Sequence, residues 1–290
     1  VTTTEPAPIR GLLAALAAGL LAACGGAKDV PLPGGAFLIE DRALSEMSGL
    51  EASPAQPGVL WAINDSGSLP RLYRLGHRGE DRGRVWILGA WVSDSETLAF
   101  YRDGATDWLL IGDVGDNRAR RGSVRVHAVK EPGPDARVAR VAWTLRFRYP
   151  DGPRDAEGIA VDHLHDDLLV ISKRDRHPRL YRVPLAARHA RAVAIAEPVA
   201  ELSPDWLEGE VTGLDLSKDG TQLAVLTYRG LYLWTREPGQ DWSTVVADPP
   251  RALPMPKLRK AEAMAFSADH STLYVGSEKR PAPLVRIPLD

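Results

Sequence analysis

One segment of this chain returns five times, and that return limits the possible folds more than any other feature. SGLEASPAQPGVLWAIND starts at Ser48, ETLAFYRDGATDWLLIGD at Glu96 and EGIAVDHLHDDLLVISK at Glu157. TGLDLSKDGTQLAVLTY starts at Thr212 and EAMAFSADHSTLYVGSE at Glu262. Each copy is a short run of small and apolar residues, a polar turn, a second apolar run and a polar or charged end. Self-similarity at a period of roughly 50 to 60 residues is the signature of a solenoid or a radial array.

The runs after each copy set the strand count. A third run comes next (PRLYRLG, SVRVHAV, PRLYRVP, GLYLWT, LVRIP). Four copies add a fourth run: GRVWILGAWV, ARVAWTLRFRYP, ARAVAIAEPVA and STVVADPP. These runs have strand length, are rich in β-branched and aromatic residues, and are separated by turn residues. No long stripe of period 3.6 occurs after residue 30, so the chain reads as all-β. Four antiparallel strands per repeat, set radially, make a β-propeller. The fifth copy lacks a fourth run, and GAFLIEDRAL, from Gly35 to Leu44, supplies a spare strand ahead of the first. Pairing the two closes the ring and removes two sheet edges. The expectation is a single five-bladed domain over residues 35–290. Six blades is the alternative, with Arg121 to Arg154 holding a degenerate unit.

The N-terminal part has a different character. Arg10 precedes an uncharged apolar run from Gly11 to Ala23, which suits a secretory signal better than a membrane span. Leu21-Ala22-Ala23-Cys24 resembles the lipobox of bacterial lipoproteins, whose cysteine is acylated after cleavage. That resemblance implies a signal peptide over 1–23, a linker over 24–34, and a lipid-membrane anchor through acylated Cys24. The expected location is the cell envelope, and Gly25 after the cysteine points to the outer membrane in a Gram-negative cell. Cys24 is the only cysteine, so no internal disulfide and no cysteine-based zinc site can form. The formal charge of −2, from 36 basic and 38 acidic residues, argues against nucleic acid as a partner. The expected partners are a small molecule or an envelope protein, bound by a monomer.

Four motifs carry a family likeness: SGL…GVLWAINDSG, GDVGDN, YPDGPRDAEGIAVD and VTGLDLSKDG. They resemble a group of secreted bacterial β-propeller lipoproteins whose functions are largely unassigned. The likeness spans most of residues 40–290. More distantly, the chain resembles the SdiA-regulated, gluconolactonase-type and esterase-like phytase propellers, a likeness of fold that implies little about activity.

Propeller geometry turns the repeat into a site prediction. The residue that begins an inner strand and the one that ends its partner lie at the same end of the ring. The first column reads Ser48, Glu96, Glu157, Thr212, Glu262; the second reads Asp65, Asp113, Lys173, Tyr228, Glu278. Glu46, Asn64, Asp116, Asn117, Asp155, Arg174, Glu210 and Arg229 flank them. Converging carboxylates repel unless protonated or neutralised, and oxygen ligands of this kind suit Ca²⁺. The candidate metal ligands are Glu96, Asp113, Asp116, Asn117, Glu157 and Glu262. Asp65, Lys173, Tyr228, Arg229 and Glu278 are the candidate ligand-binding residues, and Glu157 and Glu262 the candidate catalytic ones. Lys173 and Arg229 offer neutralisation without metal, as salt bridges. DHLHDD, with His163 and His165, falls at the inner-strand turn and reads as turn chemistry. No G-x-S-x-G elbow is present. A binding or scaffold module and a metal-dependent lactone or phosphoester hydrolase both fit these residues.

Overall fold

The computed structural model describes residues 1–2, 35–65, 70–90, 93–278, 280 and 282–289. The apolar run, Cys24 and the linker lie outside the described residues. The described residues from Gly35 onward form one compact unit. It opens with β1 (Ala36–Leu38), then β2 (Met47–Ala52), β3 (Val59–Asn64), β4 (Arg71–Gly76) and β5 (Asp81–Leu88). Next come β6 (Thr97–Asp103), β7 (Thr106–Asp113), β8 (Val124–Lys130) and β9 (Val138–Arg148). After them run β10 (Ala156–Asp162), β11 (Asp167–Ser172), β12 (Arg179–Pro184), β13 (Ala194–Ile195) and β14 (Glu197–Glu201). The last are β15 (Val211–Leu216), β16 (Gln222–Thr227), β17 (Leu231–Thr235), β18 (Arg251–Leu253), β19 (Ala261–Phe266), β20 (Thr272–Ser277) and β21 (Pro283–Pro288).

These strands form several four-stranded antiparallel sheets in a propeller-like arrangement. Three stand alone: β10-β11-β12-β14, β15-β16-β17-β18 and β1-β21-β20-β19. Two further antiparallel quartets, β2–β5 and β6–β9, are joined at their outer edges by parallel pairing of Trp86–Leu88 with Val138–Arg140. The stretch from Arg121 to Arg154 therefore supplies β8 and β9, the outer strands of the second quartet. N-terminal β1 pairs with C-terminal β21, Phe37 opposite Leu284, and covers the edge of the last quartet.

Each first strand lies against the first strand of the next quartet: β2 on β6, β6 on β10, β10 on β15, β15 on β19, and β19 on β2. The apolar core is divided in the same way, into layers between consecutive quartets. Trp61, Leu72 and Val85 pack with Leu98, Leu109 and Ile111; Leu110, Phe147 and Tyr149 pack with Ile159, Val170 and Tyr181. Met47, Leu60 and Tyr73 meet Ala263, Tyr274 and Leu284, so the last quartet packs on the first. Inner strands are buried on both faces, which explains why they read as continuous apolar runs without polar alternation.

One expected strand is displaced. STVVADPP does not form the fourth strand of its quartet; Trp242–Val245 is a helical turn, and β18 begins at Arg251. Asp241 caps that turn by accepting a hydrogen bond from Ser243 N at 2.9 Å. Pro249 and Pro250 lack the N–H groups a ladder strand would donate.

Candidate functional site

Four of the five first-column residues lie where the ladder is broken. Pairing shifts register between Met47 and Gly49, Ala156 and Gly158, Val211 and Gly213, and Ala261 and Ala263. The residues skipped are Ser48, Glu157, Thr212 and Glu262, each at a β-bulge. A bulge leaves one residue unpaired and re-aims its side chain. The small residue after it gives clearance to the next inner strand. A Cβ on Gly49 would lie 2.8 Å from Leu98 N, and one on Gly158 would lie 2.5 Å from Leu214 N. The sequence pairs Ser-Gly, Glu-Gly, Thr-Gly and Glu-Ala record this geometry.

The two hydroxyls of the column serve the fold. Ser48 Oγ donates to Ser95 O at 3.0 Å and Thr212 Oγ1 donates to Ala261 O at 2.7 Å, each reaching the following quartet. The three glutamates occupy the mouth of the ring, all nearly buried. Lys173 Nζ donates to Glu157 Oε1 at 2.8 Å and lies 5.3 Å from the centre of the Tyr228 ring. Tyr228 Oη donates to Glu262 Oε1 at 2.7 Å. Lys260 Nζ donates to Glu278 Oε2 at 2.9 Å and stands 3.5 Å from Glu262 Oε1. One chain of polar contacts thus runs from Glu157 to Glu278 across three quartets.

Burial dominates the electrostatics. Desolvation pushes Glu157 up to about 7 against the attraction of Lys173. It pushes Glu262 to about 7 as well, helped by a hydrogen bond with Glu278 and opposed by Tyr228. Tyr228 is raised to about 12 by burial and by its bond to Glu262. Lys173 is held above its ordinary value by Glu157 and Tyr228, in spite of burial that favours the neutral amine. Glu96 is pushed highest, to about 12, by burial and then by the charges of Glu157, Asp65 and Asp94. Glu157 and Glu262 therefore exchange protons near neutral pH beside a fixed ammonium, which suits either charge recognition or proton transfer.

GDVGDN differs from its sequence reading. The second quartet has no bulge, and Thr97 pairs directly with Gly112. In the other quartets the second-column N–H reaches the carbonyl two residues before the first column: Asp65 to Glu46, Lys173 to Asp155, Tyr228 to Glu210 and Glu278 to Lys260. In this quartet Gly115 makes that contact, to Asp94 O, in place of Asp113. Asp113 is fully buried and accepts from Arg121 Nη1 and Nη2 at 3.1 and 2.8 Å, and from Ser93 N and Asp94 N. Asp116 Oδ2 accepts from Arg121 N at 2.6 Å, and Asn117 Oδ1 accepts from Arg174 Nη2. These three residues brace a loop and do not join Glu96, Glu157 and Glu262. Arg229 does not join the glutamates: its exposed guanidinium stands 3.5 Å from Glu208 Oε1, on the wall of the neighbouring cavity.

Two participants lie outside both columns. Asp94 and Lys260 precede Glu96 and Glu262 by two residues, as Glu46, Asp155 and Glu210 precede their own columns. All five positions are charged, and that third column was the available signal. Asp65, Asp94 and Glu96 bring carboxylate oxygens within 4.8 Å of one another. A cavity of about 440 Å³ opens beside Tyr228, lined by Glu208, Arg229, Met255, Pro256, Lys257 and Leu258. DHLHDD is a turn between β10 and β11, where Asp162 takes a two-pronged bond from Arg236 at 2.9 and 2.8 Å.

No family model matches the chain, and no curated protein matches it. Among solved structures it is similar to a chain of a nidogen/laminin complex, at 14% identity and a TM-score of 0.45. That similarity covers 81% of this chain and 73% of the other.

Proposed function

We propose that the chain is a five-bladed propeller whose acidic mouth binds a ligand bearing positive charge, without turnover. Inner strands that each adjoin two others, and apolar layers that run full circle, support the blade count. The observation that carries the binding reading is the charge balance of the mouth. Glu96, Glu157 and Glu262 converge there, all nearly buried, and among the described residues their ammonium partners are Lys173 for Glu157 and Lys260 for Glu262. An excess of buried carboxylate is unfavourable in an isolated protein and is offset by a cationic ligand. The cavity beside Tyr228 adds apolar wall from Met255, Pro256 and Leu258, enough for the body of a small molecule. With acylated Cys24 as anchor, the module would present this mouth within the cell envelope, on the outer membrane of a Gram-negative cell.

A panel of small amines (spermidine, choline, glucosamine) in a thermal-shift assay tests the reading. At least one should raise the melting temperature of the wild type, and the shift should shrink with added salt. A panel without any shift overturns it. A second reading, hydrolysis of a lactone or phosphoester, rests on Glu157 and Glu262 titrating near 7 beside Lys173 and Tyr228. Turnover by the wild type that is lost in both Glu157→Gln and Glu262→Gln would establish that reading and displace the first.

A further inference from the structure

We infer that Asp65, Asp94 and Glu96 form a binding site for a hard divalent cation, Ca²⁺ before Mg²⁺. The site bridges the first and second quartets, and the inference rests on the mouth being a binding face. Three observations carry it.

The first is convergence: the three carboxylates each offer an oxygen, and these oxygens lie within 4.8 Å of one another. Asp65 comes directly after β3, while Asp94 and Glu96 precede β6, so two strand ends are brought together by the ring.

The second is the state of Glu96. It is 5% exposed, and among the described residues no hydrogen bond or ion pair reaches its carboxylate. Other buried acids of this face are served differently. Lys173 holds Glu157, Lys260 and Tyr228 hold Glu262, Arg121 holds Asp113, and Arg174 holds Asp155. A carboxyl group nine-tenths buried beside two others, with no donor to it among the described residues, is a costly arrangement, and a bound cation removes the cost.

The third is the cradle. Gly115, in GDVGDN, has no side chain where Asp94 and Glu96 rest against the backbone. A Cβ there would lie 2.6 Å from Asp94 Cγ and 2.8 Å from Glu96 Oε1. A side chain at this position would have to displace the Asp94 and Glu96 carboxyl groups.

The donor set chooses the ion. Three carboxylates without His or Cys select a hard cation over zinc or copper. Ca²⁺ accepts a flexible set of six to eight oxygens at about 2.4 Å, whereas Mg²⁺ demands near-octahedral geometry at about 2.1 Å and gives up its waters reluctantly. Asp65 and Asp94 are only half-buried, which leaves room for the waters that complete a Ca²⁺ shell.

Calorimetric titration of the chelator-stripped full chain with Ca²⁺ alone tests the site, with melting temperature as a second readout. One equivalent should bind and raise the melting temperature. Glu96→Gln and Asp94→Asn should weaken binding by about tenfold or more, while Glu201→Gln, on the exposed strand β14, should leave it within about twofold. Gly115→Ala keeps every carboxylate and should still weaken Ca²⁺, and a cooperative melt in each variant shows that the fold is retained. Absence of Ca²⁺ binding by the wild type, or unchanged binding in Glu96→Gln, overturns the site; tighter Mg²⁺ than Ca²⁺ overturns the choice of ion. Because the amine panel reads the Glu157–Glu262 wall, loss of Ca²⁺ binding with amine binding intact rejects this site alone. Ca²⁺ binding with no amine response rejects the ligand reading instead.

Discussion

Both ends of the ring carry buried carboxylates on inner strands, yet the two ends are built to opposite specifications. At the end away from the mouth, Glu51 and Asp215 project from β2 and β15, both almost fully buried. Lys218 reaches across from the β15–β16 turn, with Nζ 2.8 Å from Glu51 Oε1 and 3.9 Å from Asp215 Oδ1. Backbone N–H groups saturate what remains: Phe100 N donates to Glu51 at 2.7 Å, Phe266 N to Asp215 at 2.7 Å and Leu216 N to Asp215 at 2.8 Å. Phe100 N and Phe266 N come from the next quartets along the chain, so these acids stitch neighbours together. At the mouth, Glu157 and Glu262 each have a lysine, while no donor reaches Glu96 among the described residues. An acid supplied with amides and a lysine is a structural part; an acid left to other acids is available for a ligand. Position on an inner strand alone does not distinguish them.

The contrast can be broken by mutation. The largest effect should come from Lys218→Met, which strands Glu51 beside Asp215. Removing one member of a buried ion pair costs about 3–5 kcal/mol, read as a lower midpoint in urea unfolding. At the mouth, Lys260→Met removes a lysine whose side chain is 39% exposed, and the loss should stay below about 1 kcal/mol. Equal losses in the two variants would erase the distinction between the ends.

The closed end should also contribute to the pH dependence, in the same direction as Glu157 and Glu262 at the mouth. Burial pushes Glu51 up to about 8, with Asp215 adding to the rise and Lys218 opposing it. The folded state then binds the proton more tightly than the unfolded chain. This contribution is fully present below about pH 4.5 and is lost as pH rises toward 8. Its slope is at most ~1.4 kcal/mol per pH unit. Glu51→Gln should flatten that part of the stability profile, and an unchanged slope would assign it to other groups. Smallest is Glu96→Gln in metal-free buffer. Burial and its acidic neighbours keep the Glu96 proton on in metal-free buffer near neutral pH, so the amide should leave stability within about 1 kcal/mol of the wild type. A clear loss would mean that Glu96 is structural.

The sequence was most legible where a residue type answers one geometric demand. Repeated apolar runs marked the inner strands, and GAFLIEDRAL contained the strand that covers β21, though only Ala36–Leu38 pair. The first column brought Glu157 and Glu262 into one chain of contacts with Lys173, Tyr228 and Glu278. It failed where counting ignored a bulge. Without a bulge between β6 and β7, Asp113 ends its strand two residues short of the second column, and Gly115 takes the position. An asparagine and two aspartates in a glycine-containing loop looked like cation ligands, but Arg121 and Arg174, placed by tertiary structure, had already claimed them. The displaced fourth strand has a similar origin, since Asp241 and the Pro249-Pro250 pair outweighed a β-branched run.

The central claim is that the mouth is a binding surface and the opposite end a fastening. Calorimetric titration of the best amine from the panel into the wild type, Glu157→Gln/Glu262→Gln and Glu51→Gln tests it most directly. The double variant should lose about a hundredfold or more in affinity, since each of the two charged contacts removed costs about 1.5–3 kcal/mol, and Glu51→Gln should show no change. Equal affinity in the wild type and the double variant, or a loss confined to Glu51→Gln, would contradict it.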